Sequence, residues 1–197
     1  MTTTTTSYRC RPIKPFLVLC TLTALLSWAA PLWADDGGDF NGDGYRRDHY
    51  RAPTPPTAPG ATTLTVKQLH HMLEVGRKFG LIDVLPRPPR PEGLAPDAVW
   101  MPPAHQDIPG SLWLPDVGQP VLSPEAEAYF RKGIEHSIGH DRAVPVVMYC
   151  KKECWMSWNA AKRAAIWGYR VLWYPDGVEG WTEAGYPLVV AYPEPKD

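Results

Sequence analysis

The chain has no strong excess of charge of either sign: its formal net charge is −1 over 197 residues. It therefore lacks the basic surplus with which a protein gathers along a nucleic-acid backbone, and nucleic acid is excluded as a partner on that ground. Cysteine is scarce, with four residues: Cys10, Cys20, Cys150 and Cys154. That is too few for a small scaffold held by many disulfides, so the fold must rest on a hydrophobic core. No internal repeat is visible, which excludes solenoids and propellers. The one extended apolar stretch, from Phe16 to about Ala30, is short for a stable membrane span.

Proline, by contrast, is abundant at 23 residues, and many fall between the periodic segments, so long irregular connections are expected. Near the start, Arg9, Arg11 and Lys14 precede the apolar stretch, and Leu32-Trp33-Ala34 follows it ahead of Asp35-Asp36. This is a signal-peptide pattern over 1–34, cleaved on export, and it predicts a periplasmic location. Leu19 before Cys20 is not small, which argues against a lipoprotein anchor. Removal of 1–34 takes Cys10 and Cys20 with it and leaves the close pair Cys150 and Cys154. In an exported protein such a pair invites a disulfide or redox reading.

Residues 35–61 read as an extended, proline-rich linker. Asp39 to Gly44 matches the first half of a calcium loop, but Tyr50 stands where a bidentate Glu is required and no helix precedes it. Residues 62–190 read as one domain and 191–197 as a tail. Within the domain, Thr62–Thr65 suggests a first strand or helix start, and Leu69, Met72 and Leu73 predict a helix over 66–77. A buried strand follows over 80–85, then a long proline-rich loop over 86–106, anchored by Trp100 and Met101. A short strand is expected at 112–114. A helix starts at Ser123-Pro124, with Ser as N-cap and Pro at N1, and ends near Gly139. Strands are expected at 146–149 and 171–174, with a short helix over 179–184. Alternating strands and helices imply a central parallel sheet, and ligands then bind beyond the carboxyl ends of its strands.

The stretch from Val146 to Tyr169 carries the chemistry. Val146-Val147-Met148-Tyr149 reads as a strand, Cys150 to Cys154 as a tight loop, and the alanine-rich run to Gly168 as a helix, with Ser157 or Asn159 as cap candidates. Loop amides and a helix start there can stabilise a thiolate, and Lys151 and Lys152 add positive potential. Cys150 and Cys154 are the catalytic candidates. Lys151, Lys152, Trp155 and Asp83 are the candidates for substrate contact. No residues are assigned as metal ligands, and His70, His71, His136 and His140 read as helix surface or cap.

The order of blocks resembles the rhodanese-like domain: Leu81-Ile82-Asp83-Val84, Ile108-Pro109-Gly110-Ser111, Tyr149-Cys150, Gly168-Tyr169, and Gly180-Trp181 with Ala184-Gly185-Tyr186-Pro187. The resemblance implies an α/β fold with a central parallel sheet and helices on both faces. A narrower likeness rests on Cys154-Trp155 through Arg163, on Gly110 to Pro115, on Trp173 to Gly177, and on Gly44-Tyr45-Arg46 with Tyr50 to Pro53. These are similar to the exported rhodanese-like proteins called PQQ-dependent catabolism-associated CXXCW motif proteins. That likeness implies an accessory role beside a periplasmic PQQ-dependent dehydrogenase. Lys151, Lys152 and Glu153 put three residues between the cysteines, where the family name describes two. Phosphatases of this fold carry an Arg after the cysteine; Trp155 and Met156 occupy the corresponding positions, so no guanidinium can grip phosphate.

Three functions follow. In the first, Cys150 takes sulfur from a small sulfur donor and Cys154 resolves the persulfide, a sulfurtransferase reaction. In the second, the pair is a thiol–disulfide oxidoreductase or an inert staple. In the third, the protein is a non-enzymatic accessory that binds copper or the PQQ cofactor, with Met148, Met156, His105 or a distant His completing a Cu(I) site.

Overall fold

The computed structural model describes residues 1–4 and 39–196. The signal-peptide reading, with Cys10 and Cys20, lies outside the described residues apart from the first four. The chain divides into two units, 1–35 and 36–197, and every element below belongs to the second. Among the described residues no helix is long and apolar enough to cross a membrane.

The protein is α/β. β1 (Ala61–Thr63), β2 (Gly80–Asp83), β4 (Leu112–Trp113), β5 (Val146–Tyr149) and β6 (Val171–Tyr174) form a five-stranded parallel sheet in the order β1-β6-β5-β2-β4. β2 and β5 are buried at every position, as expected of strands covered on both faces. Side-chain alternation divides the core in two. Ile82, Val146, Met148, Val171 and Trp173 face α2 (Pro124–Ile138) and α3 (Trp155–Ile166). Leu81, Val147, Tyr149 and Tyr174 face α1 (Val66–Glu74) and α4 (Gly177–Glu183).

The helix ends follow local chemistry. Thr65 caps α1 in a reciprocal box with Gln68, and α1 ends three residues before the expected limit at Arg77, with Gly76 in the left-handed region. Ser123 caps α2 ahead of Pro124, and Gly139 closes it at φ 64°. α3 departs from expectation. Neither Ser157 nor Asn159 caps it; Cys154 is its N-cap and makes no side-chain cap bond. Ser157 and Asn159 lie inside the helix, fully buried.

Two segments expected to be irregular are structured. β3 (His105–Asp107), at the end of the proline-rich loop, pairs antiparallel with β7 (Val189–Ala191), which spans the boundary between the expected domain and its tail. Beyond it, Pro193 bridges Trp113 and the Glu194 amide donates to the Trp113 carbonyl. Met101 is 80% exposed, so it does not anchor the loop.

The linker is tied to the domain. The Arg46 amide donates to Asn159 Oδ1, Asn159 Nδ2 returns a bond to the Arg46 carbonyl, and Lys162 Nζ donates to the carbonyls of Asp43 and Gly44. Asn41 Oδ1 accepts from the Asp43 and Tyr45 amides, and Asp39 pairs with Arg46. The calcium-like stretch is thus a turn with its own internal bonds.

Candidate active site

β5 delivers Cys150 to the carboxyl end of the sheet, between β2 and β6. The loop from there to α3 is fixed on both sides. The Cys150 carbonyl accepts from the Val178 amide at 3.0 Å, and Lys151 forms an isolated bridge with Gly177. The Lys152 amide donates to Glu179 Oε2. Glu153 takes φ 54°, unusual for a residue with a Cβ, and turns the chain into α3.

On the other side runs the linker. Arg51 bridges Cys154 in antiparallel fashion, the Trp155 amide donates to the Tyr50 carbonyl at 2.9 Å, and the Ala52 amide donates to the Glu153 carbonyl. Arg51 also pairs with Glu179 at 3.3 Å. Tyr50, Arg51 and Ala52 therefore form a strap across the loop. Of the loop amides, those of Lys152 and Trp155 are taken by Glu179 and Tyr50.

Cys150 and Cys154 are joined by a disulfide with a Cα–Cα distance of 6.2 Å. Their settings differ. Cys150 is 0% exposed, which corrects the expectation of a reachable nucleophile: in the oxidised protein it is sealed in the core. Cys154 is 3% exposed and lines a cavity of about 470 Å³ together with Tyr50, Arg87, Lys151, Met156 and Glu179. As the N-cap of α3, Cys154 also sits where the helix dipole favours negative charge.

The other candidates separate. Lys151 lines the cavity. Lys152 turns away and pairs with Glu183 at 3.2 Å, a contact that raises its pKa. Trp155 does not contact the cavity; it is buried between Phe40, Trp158 and the Arg46 guanidinium, 4.8 Å from its ring centroid. Asp83 is at a different place again. Its Oδ1 accepts from the Leu85 amide, and its Oδ2 accepts from His105 Nε2 at 2.9 Å.

That second contact belongs to a cluster that sequence reasoning missed. β3 brings His105 and Asp107 beside Asp83 at the end of β2, and His105 stacks on Trp113 at 3.7 Å. Burial pushes the Asp83 carboxyl up to about 7; the His105 hydrogen bond opposes that rise and Asp107 adds to it. Burial alone would lower the His105 pKa, but hydrogen bonds and charge from Asp107 and Asp83 outweigh it and raise it to about 9. His105 is thus engaged here and not with the cysteines, so it does not complete a copper site with them.

No protein-family model and no curated protein matches the chain. Solved structures do. A thiosulfate sulfurtransferase from Pseudomonas aeruginosa aligns at 15% identity over 68% of this chain and 21% of its own length, with a TM-score of 0.45. The chain thus spans about a fifth of that protein. A polysulfide-sulfur transferase homodimer from Wolinella succinogenes aligns at 20% identity over 66% of this chain and 79% of its own, with a TM-score of 0.42. An uncharacterized protein from Saccharomyces cerevisiae aligns at 20% identity over 64% and 93%, with a TM-score of 0.37.

Proposed function

We propose that this is a rhodanese-like thiol protein of the periplasm whose Cys150–Cys154 disulfide is opened and closed by exchange with small thiols. The carrying observation is the asymmetry of the pair: Cys154 lines the cavity and Cys150 does not. A thiolate entering the cavity attacks Cys154 Sγ. A new sulfur–sulfur bond forms to Cys154, the Cys150–Cys154 bond breaks, and its electron pair leaves on Cys150 as thiolate. A second thiolate attacks the incoming sulfur, releases the oxidised small disulfide and leaves the protein as a dithiol. Lys151 supplies positive potential at the mouth of the cavity, and α3 stabilises the Cys154 thiolate once it is free.

Sulfur transfer is the second reading, favoured by the place of Cys150 at the end of the central strand. In the dithiol, Cys150 attacks a sulfane sulfur, the donor departs with its electron pair, and a Cys150 persulfide forms. Cys154 then attacks the inner sulfur, expels hydrosulfide and restores the disulfide. A role for either chemistry beside a periplasmic PQQ-dependent dehydrogenase is part of this reading, supported by the signal-peptide pattern over 1–34 and by the likeness to the CXXCW-motif proteins. The test is assay of the purified chain with a small thiol and, after reduction, with thiosulfate. Thiol exchange lost in both Cys150→Ser and Cys154→Ser supports the first reading. Thiosulfate turnover that needs Cys150 supports the second. Activity unchanged in both variants contradicts both.

A further inference from the structure

We propose that Asp83, His105 and Asp107 form a binding site for one divalent cation of the zinc type, separate from the cysteine pair. One ligand atom from each of the three residues lies within 4.8 Å of the others. His105 Nε2 is 2.9 Å from Asp83 Oδ2 and 2.7 Å from Asp107 Oδ1. A single ring nitrogen carries at most one proton, so Nε2 cannot give a full hydrogen bond to both carboxylates. Asp107 Oδ1 has the ring as its charged neighbour, yet neither Asp107 oxygen, in a residue that is 1% exposed, receives a well-aligned hydrogen bond.

A buried carboxylate without a well-aligned donor is costly, and a cation held among the three ligand atoms relieves that cost. The charge count points to a dication. A divalent cation with two carboxylates and a neutral imidazole leaves no net charge in the interior. The donor set fits: imidazole nitrogen with carboxylate oxygen suits zinc and its neighbours, and the absence of sulfur from the trio disfavours Cu(I). Metal–ligand bonds of about 2.0–2.2 Å require the Nε2 and carboxylate oxygens to open by roughly half an ångström. The His105 side chain is 9% exposed and borders a cavity of about 370 Å³, which supplies a route in and room for a water as fourth ligand.

The test is calorimetric titration of Zn²⁺ into the untagged, oxidised protein, whose disulfide keeps the cysteines from binding metal. The expected result is binding at one equivalent that weakens at least about tenfold in Asp107→Asn and in His105→Gln, with Co²⁺ giving tetrahedral-type visible bands in the wild type. No zinc binding overturns the proposal, as does wild-type affinity in both variants. So does loss of binding in Asp39→Asn instead, which would assign the metal to the exposed trio Asp39, Asp48 and His49. If the Asp107 and His105 variants fail to fold, the wild-type cobalt spectrum decides: the bands support the site, and only the hexaaqua spectrum refutes it.

Discussion

Gly177 faces the Cys150 carbonyl so closely that a Cβ there would lie 2.2 Å from its oxygen. The same glycine takes φ 55° and bridges Lys151, so a residue of β5's loop and one at the start of α4 fix each other. Gly177→Ala must displace the cysteine loop. The expected cost is about 2–4 kcal/mol from strain and lost packing, seen as a lower denaturant midpoint, together with faster reduction of the disulfide.

Asn159 ties down the linker just ahead of the strap by exchanging two bonds with Arg46, and donates a third to Gly118. Asn159→Ala orphans buried backbone groups at about 1–3 kcal/mol each. The strap then leaves Cys154 more often, and the expected result is reduction by dithiothreitol several times faster than in the wild type. An unchanged rate with lowered stability would show that the strap does not control access.

The disulfide closes a short loop, so its contribution to stability is modest. Chain-entropy arguments give about 2 kcal/mol for a loop of this size. Thermal unfolding with and without reductant should differ by a few degrees. A protein that unfolds outright on reduction would mark the bridge as a structural staple and not a working pair.

Glu135 accepts a hydrogen bond from Tyr169, which holds its pKa below the usual value, with Arg142 beside it adding to the effect. A depressed carboxylate stabilises the fold above its unfolded pKa, and that stability is lost as pH falls through the folded pKa. Because the group is near the surface, the contribution is at most about 1 kcal/mol. Wild type should exceed Glu135→Gln in melting temperature at neutral pH, and the gap should close in acid.

Local chemistry made much of the fold legible. β2 and β5 announced themselves as short apolar runs, and Ser123-Pro124 and Gly139 bounded α2 by their own conformational preferences. The misses share a cause. The strap over Cys154, the β3–β7 pair and the Asp83–His105–Asp107 cluster join residues far apart in the chain, through short segments with no periodicity. Cys154 as a helix N-cap was hidden because cysteine is not a favoured capping residue, and Ser157 and Asn159 nearby are. Asn159 serves the linker and Ser157 Oγ bonds the Cys154 carbonyl and the Trp173 indole, so both are held inside α3.

The most direct test of the mechanism is to find which sulfur an incoming thiol reaches. Oxidised protein is mixed briefly with a small thiol, alkylated in the same instant and mapped by peptide mass spectrometry. The thiol adduct is expected on Cys154 and the alkyl group on Cys150. The reverse pattern, with the adduct on Cys150, would contradict the account.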